Sequence, residues 1–248
     1  SRLQVLSAVY ERLFDVDGNG KIQPLQAVSA TPSDDFKKWR IKLRQGMKFS
    51  NGEEFTSEAL TVHWDRLIKS RWKGRYTGRL MGVPLIKVAA IDKYTVDFIF
   101  KKPHAGFLNV LAAPNNAWWV SAPGHTKKNG KKPSYNSTPI GAGPYMVKEW
   151  KDGVGVTMVR NPNYWNPKAQ HVDEIFYMVI SNEPARFKAL QAGTVDVMYI
   201  TRGYFGEIKK DANLKVITGP RGNAGFLVSF NNSKPPFNDL RVRKALAH

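Results

Sequence analysis

Between residues 39 and 70 the apolar pattern changes period, and that change limits the folds open to the chain. WRIKLRQGMKF (39–49) sets Trp39, Ile41 and Leu43 at alternate positions between basic residues, the pattern of a half-buried strand ending in a turn at Gly46. FTSEALTVHWDRLIKS (55–70) then brings Leu60, Trp64, Leu67 and Ile68 to one helical face. Thr56 is placed to cap that helix, and Glu58 lies in its first turn, where a carboxylate suits the helix dipole. Strand and helix must each bury one face, so the chain needs a layered structure containing both.

The same two periods recur along the sequence. Leu3, Leu6, Val9, Tyr10, Leu13 and Phe14 are spaced as one N-terminal helix, and DVDGNGKI follows as a tight turn. Val96, Phe98 and Phe100 alternate as a strand, and 105–114 reads as a short helix stopped by Pro114. Residues 115–123 read as irregular, and 127–144, rich in Gly, Pro, Ser and Asn, as a long loop. Strand patterns follow at 145–150 and 154–160. EIFYMVI (174–180) is apolar on both faces, which predicts a central strand of a covered sheet. Residues 182–193 predict a helix with Pro184 in its first turn and Gly193 at its end. TVDVMYI and GFLVSFNN predict two further strands. The order of elements predicts an α/β fold, or α+β with a mixed sheet.

Composition removes several classes of function. The 248 residues include no cysteine, which excludes disulfides, thiolate metal sites and cysteine nucleophiles. No apolar run reaches the roughly 18–20 residues of a membrane span. The formal net charge is +18, concentrated in 66–79 and 125–132. Charge of this kind speaks to solubility and to anionic partners rather than to any one site.

Several local motifs resolve into turns. Asp15, Asp17, Asn19, Gly20 and Ile22 copy the front of an EF-hand loop, but its twelfth position is Gln26, and Pro24 sits where the exit helix would begin. Gly141-Ala142-Gly143 is followed by Pro144 and a strand instead of a helix N-terminus, so it has no phosphate-binding form. His171, Asp173 and Glu174 point in different directions at a strand entrance, and no two histidines have the spacing of a helical zinc site. No nucleophile elbow or P-loop is present. Trp118 and Trp119 lie in an irregular, proline-flanked stretch, where rings commonly line ligand clefts.

The order of segments adds what no single motif does. VYERLFDVDGNGKIQPLQAVS, WRIKLRQGMKFSNGEEFTSEAL, TPIGAGPYMVKEW, VRNPNYWNPKAQHVDEI, EPARFKALQAGTVDV and FNNSKPPFNDLRVRKAL follow one another as in the family 5 extracellular solute-binding proteins. The chain resembles the peptide- and nickel-binding group of that family, which delivers ligand to ABC importers. The resemblance implies one lobe of a two-lobed clamshell. Its core would be 1–45 and 172–248, with a smaller subdomain inserted at 46–171. It also implies that the signal sequence, the first strand and the second lobe lie outside these 248 residues, and that the helix entered at Asp239 is the last of lobe I before the hinge. Arg241 and Arg243 would then have structural roles near that hinge.

The resemblance further implies a binding wall built from the loops at the ends of the core strands. Arg202 and Arg221 are candidates to pair with a ligand carboxylate, Tyr204, Trp118 and Trp119 to form shelves, and Asn223 to hydrogen-bond. The expected ligand is an oligopeptide or dipeptide, with nickel chelates, opines and oligosaccharides as other ligands of the scaffold. No cofactor, resident metal, catalytic residue or enzyme activity is expected. The expected setting is a monomer in the periplasm or outside the cell, with or without a lipid anchor, working with an ABC permease and not with nucleic acid. The alternative is a nucleic-acid-binding protein using 66–79, with Trp72 and Tyr76 as stacking rings.

Overall fold

In the computed structural model the described residues are 2–69, 85–112, 119–129, 138–217 and 231–245. The chain divides into two compact units, Ser1–Thr201 and Arg202–His248.

The larger unit opens with helix α1 (Arg2–Val9), then a small hairpin of β1 (Phe14–Val16) and β2 (Ile22–Pro24). Asp17 organises the hairpin turn: its Oδ1 accepts from the backbone N–H of Asn19 and Lys21, both at 2.9 Å, and Gly20 takes φ 82°. These bonds to the ionised form hold the Asp17 carboxyl below its ordinary range. The loop is a hairpin turn, as the missing twelfth ligand predicts.

A four-stranded antiparallel sheet follows. It is built from β3 (Ala27–Pro32), β4 (Lys38–Leu43), β5 (Leu85–Asp92) and β6 (Thr95–Phe100), in the order β3-β4-β6-β5. β4 alternates cleanly, with Trp39, Ile41 and Leu43 buried and Lys38, Arg40 and Lys42 exposed. Helix α2 (Ser57–Ile68) buries Ala59, Leu60, Trp64 and Leu67 on the inner face of this sheet. Helix α3 (Phe107–Ala112) adds Phe107, whose ring lies 5.2 Å from that of Phe98 and 4.7 Å from that of Phe100. Thr56 stands at the cap position of α2, but its side chain makes no capping hydrogen bond.

A second, three-stranded antiparallel sheet has the order β7 (Tyr145–Lys151), β8 (Gly155–Arg160), β9 (Glu174–Met178). Val5, Val9 and Tyr10 from the α1 end pack with Tyr145, Val156 and Met158 of this sheet. Between the sheets runs α4 (Pro123–Asn129), and after β9 comes α5 (Glu183–Gln191). Asn182 caps α5 by accepting from Ala185 N–H at 2.9 Å, and Gly193 closes it with φ 72°.

The smaller unit contains a 3-10 turn at Arg202–Tyr204, helix α6 (Phe205–Ile208) and helix α7 (Leu240–Ala245). Asp239 Oδ1 accepts from Arg241 N–H at 2.8 Å at the start of α7, and Arg243 Nη1 donates to Phe237 O at 2.5 Å.

Four expectations need correction. The first helix stops at Val9 rather than reaching Phe14, because Leu13 and Phe14 belong to the first core while Val5 and Val9 belong to the second. Among the described residues EIFYMVI is an edge strand and not a central one: β9 pairs there only with β8, and Phe176 is 50% exposed. TVDVMYI is not paired into a sheet among the described residues, and Val197 is 83% and Tyr199 76% exposed. The loop expected over 127–144 begins inside α4, which ends at Asn129. GFLVSFNN lies almost wholly outside the described residues.

Candidate functional site

The joint between the two cores is held by short-range contacts to the end of α1. Gly143 N–H donates to Val9 O at 2.9 Å, and Ser50 N–H to Gly141 O at 2.9 Å. A Cβ on Gly141 would stand 2.1 Å from Val9 O, and one on Gly143 2.6 Å from it. Both glycines are there for close backbone approach, not for phosphate. Asn161 fixes the same loop from the other side, donating from Nδ2 to Gly143 O at 2.8 Å.

Next to this joint lies a buried carboxylate that periodicity alone does not single out. Glu11 accepts from the Tyr164 hydroxyl and, at 2.9 Å, from Trp165 Nε1. The Arg44 guanidinium sits over the Trp165 ring, 4.1 Å from its centroid. Burial pushes the Glu11 carboxyl above its ordinary range, against the two hydrogen bonds and the Arg44 charge. Burial and then the Glu11 charge push the Tyr164 hydroxyl upward in turn. The signal for this cluster was an acid inside an apolar helical pattern, answered by the aromatic pair of NPNYW. Its contacts all run within the fold, so it positions the joint.

An open groove of about 690 Å³ runs beside β7. Ile140, Met146 and Trp150 give it apolar walls, and His125, Asn129 and Ser50 give it polar ones. Two charges at its edge are already paired, Lys148 with Glu174 and Lys151 with Glu149, both at 3.1 Å. One indole beside a few polar groups in an open groove allows surface contact with a solute but does not enclose one. Among the described residues there is no group of three or more His, Asp or Glu placed to hold a metal ion. No helix there is long and apolar enough to cross a membrane.

The candidate residues fall in different places. Trp119 is half-buried and stacks on Tyr10, with centroids 6.1 Å apart and planes at 12°, against the second core. Arg202, exposed, and Tyr204, half-buried, form the 3-10 turn that opens the smaller unit. Glu183 holds the residue before that turn, accepting from Thr201 N–H at 2.7 Å. Trp118, Arg221 and Asn223 lie outside the described residues, as does the 66–79 patch beyond Lys69, with Trp72 and Tyr76. The groove residues Trp150 and His125 had no signal in sequence, because residues far apart in the chain make the groove.

A family model described as bacterial extracellular solute-binding proteins, family 5 Middle, matches residues 21–248. The glutathione-binding protein GsiB of Escherichia coli is 29% identical over 244 residues, 98% of this chain and 46% of that protein. NikA from Brucella suis, solved with Fe(III)-EDTA, is 30% identical with a TM-score of 0.74, over 84% of this chain and 42% of NikA. A Pseudoalteromonas dipeptide-binding protein solved with Met-Leu gives a TM-score of 0.77 over 98% of this chain and 52% of its own. At 19% identity that last likeness concerns the fold alone. The chain spans about half the length of the curated relatives it matches.

Proposed function

The chain belongs to family 5 of the bacterial extracellular solute-binding proteins, and from that membership we propose that it supplies one lobe of the substrate-binding component of an ABC importer. The observation that carries this reading is the match over 21–248, together with a mixed α/β fold that corresponds to about half of each structural neighbour. The protein works by capture and not by catalysis: hinge closure buries a small solute between two lobes, and a membrane permease receives it. It acts as a monomer in the periplasm or outside the cell.

The ligand is an oligopeptide or dipeptide. Two observations favour a solute with carboxylates. GsiB is named for glutathione, and the NikA structure holds a carboxylate chelate. Arg202 and Arg221 pair with such a group, Trp118, Trp119 and Tyr204 provide rings, and Asn223 donates or accepts a hydrogen bond. Each assignment stands by itself. The exposure of Arg202 and its lack of an ion pair with any described residue support its part. Within the lobe, the expected division is an inserted subdomain at 46–171 and a core of 1–45 with 172–248. The pairing of β4 with β6 favours a first edge nearer residue 26 than 45.

Calorimetry on the full-length protein tests the reading, with a panel of short peptides, their C-terminal amides, glutathione and a metal chelate. A peptide should bind, its amide should bind more weakly, and Arg221→Gln should weaken the free acid by about 10–100-fold while sparing the amide. Equal binding of acid and amide would remove the arginine assignments. Silence across the panel would remove the peptide class.

A further inference from the structure

The four-stranded sheet has two faces with opposite chemistry. Its inner face holds Trp39, Ile41, Val96 and Phe98 against α2 and α3. Its outer face is a lattice of polar positions set by the strand register. Lys38 stands opposite Ile99, which stands opposite Lys87, in one row across β4, β6 and β5. The next row reads Thr31, Arg40, Asp97, Ala89, and the third Ser29, Lys42, Thr95, Asp92. Alternate positions on a strand lie about 7 Å apart, and Lys38 and Lys87 lie two strand spacings, about 9.5 Å, apart. At the Lys38 end the chain adds Lys101 and Lys102, which follow β6 directly; Phe100 N–H donates to Lys37 O at 2.8 Å.

The acids nearby offset only part of this charge. Arg40 clamps the buried Asp97 through Nε at 2.8 Å and Nη2 at 2.9 Å, and Lys37 faces Asp35 at 3.8 Å. Asp92 accepts from Tyr94 N–H at 2.8 Å in its own hairpin and offsets part of the Lys42 charge, without an ion pair, and Asp34 is the remaining acid in the β3–β4 turn. Lys38, Lys42, Lys87, Lys101 and Lys102 are all exposed and make no ion pair with any described residue. The edge strand β5 also leaves Ile86 and Ile91 half exposed, at its two irregularities of register.

We infer that this face is a membrane-docking surface that lies against anionic lipid headgroups. An array of exposed ammonium groups that form no ion pair with any described residue, with apolar side chains at its margin, matches a plane of phosphates. It does not match a single ligand, because the lysines are spread from the first row to the third, on two strands of an open sheet face. The face holds a solute-binding protein near the bilayer whatever solute it carries, so the inference goes beyond the proposed function and is tested without ligand.

Vesicle co-sedimentation measures it, using phosphatidylcholine alone and phosphatidylcholine with added phosphatidylglycerol. The protein should bind only the anionic vesicles and be released near 0.5 M salt, where the Debye length shrinks to about 4 Å. Each lysine near such a surface is worth roughly fivefold in partitioning, so replacing Lys38, Lys42 and Lys87 together by Gln should cost on the order of a hundredfold. The matched triple Lys168→Gln, Lys188→Gln and Lys215→Gln removes the same charge elsewhere and should cost at most a few fold. Circular dichroism of both variants verifies folding. Equal losses in the two triples would overturn the inference, because net charge alone would then explain binding. So would indifference to phosphatidylglycerol, or loss in the first triple confined to oligonucleotide binding.

Discussion

The two sheets of the larger unit differ in how completely they are covered. In the core that covers the four-stranded sheet, Trp64, Phe49, Phe55, Phe98 and Phe107 are fully buried, and the Trp64 and Phe98 rings meet edge to face. In the three-stranded sheet, β9 lies at the edge among the described residues, with Phe176 half exposed, and Val179, Val197 and Tyr199 beyond it are exposed as well. The sequence of β9 is as apolar as that of the buried strands. What separates the two regions is the number of layers that reach each strand, and stability should follow that number instead of hydrophobicity.

The largest effect should come from the closed core. Trp64→Ala is expected to cost about 3–5 kcal/mol in urea unfolding, whereas Phe176→Ala should cost about 1 kcal/mol or less. Equal costs would end the comparison. At the joint, Gly141→Ala forces a Cβ toward the Val9 carbonyl and should cost about 1–3 kcal/mol, while Gly106→Ala, with open space around it, should be close to neutral. The helix caps reverse the ranking of the two regions. Asn182→Ala should lose about 1 kcal/mol, because its side chain closes the first turn of α5, and Thr56→Ala should lose clearly less.

The smallest effect is a pH dependence at the joint. The folded protein raises the Glu11 pKa above its unfolded value, so the folded state binds more protons between the two. Stability from this group therefore rises as pH falls toward about 4.5 and falls as pH rises through the folded value. Asp17, Asp35, Asp92 and Glu54 are held below their ordinary ranges, so their contributions persist above those values and are lost in more acidic solution. Glu11→Gln should flatten the slope above about 4.5 and leave the acid limb in place. An unchanged slope would show that the Glu11 proton is not linked to folding.

Sequence reading worked where one residue pattern served one layer. The alternation of β4 and the one-sided face of α2 were legible because both elements meet a single apolar partner. β3 and β5 were missed: β3 is built from small and polar residues, and irregular register breaks the alternation of β5. Spacing alone extends the first helix past Val9, because Leu13 and Phe14 continue the helical period while packing into a different core. For the candidate site, the sequence offered residue types, rings and guanidinium groups, but not company. Trp119 proves to be stacked on Tyr10, a contact 109 residues away in sequence, and nothing local predicts it.

By itself, the sequence determined the strand type of β4 and β6, the helix type of α2 and α5, the turn at Asp17 and the order of segments that marks the family. Those depend on neighbours three or four positions away, or on spacing along the chain. Only the tertiary structure decided that the glycine loop at 141–143 serves a backbone contact, that Glu11 is buried beneath two aromatic donors, and that the lysines of β4 and β5 share one open face. Each of these depends on which distant segments come within a few ångströms, and burial and charge density follow from that proximity.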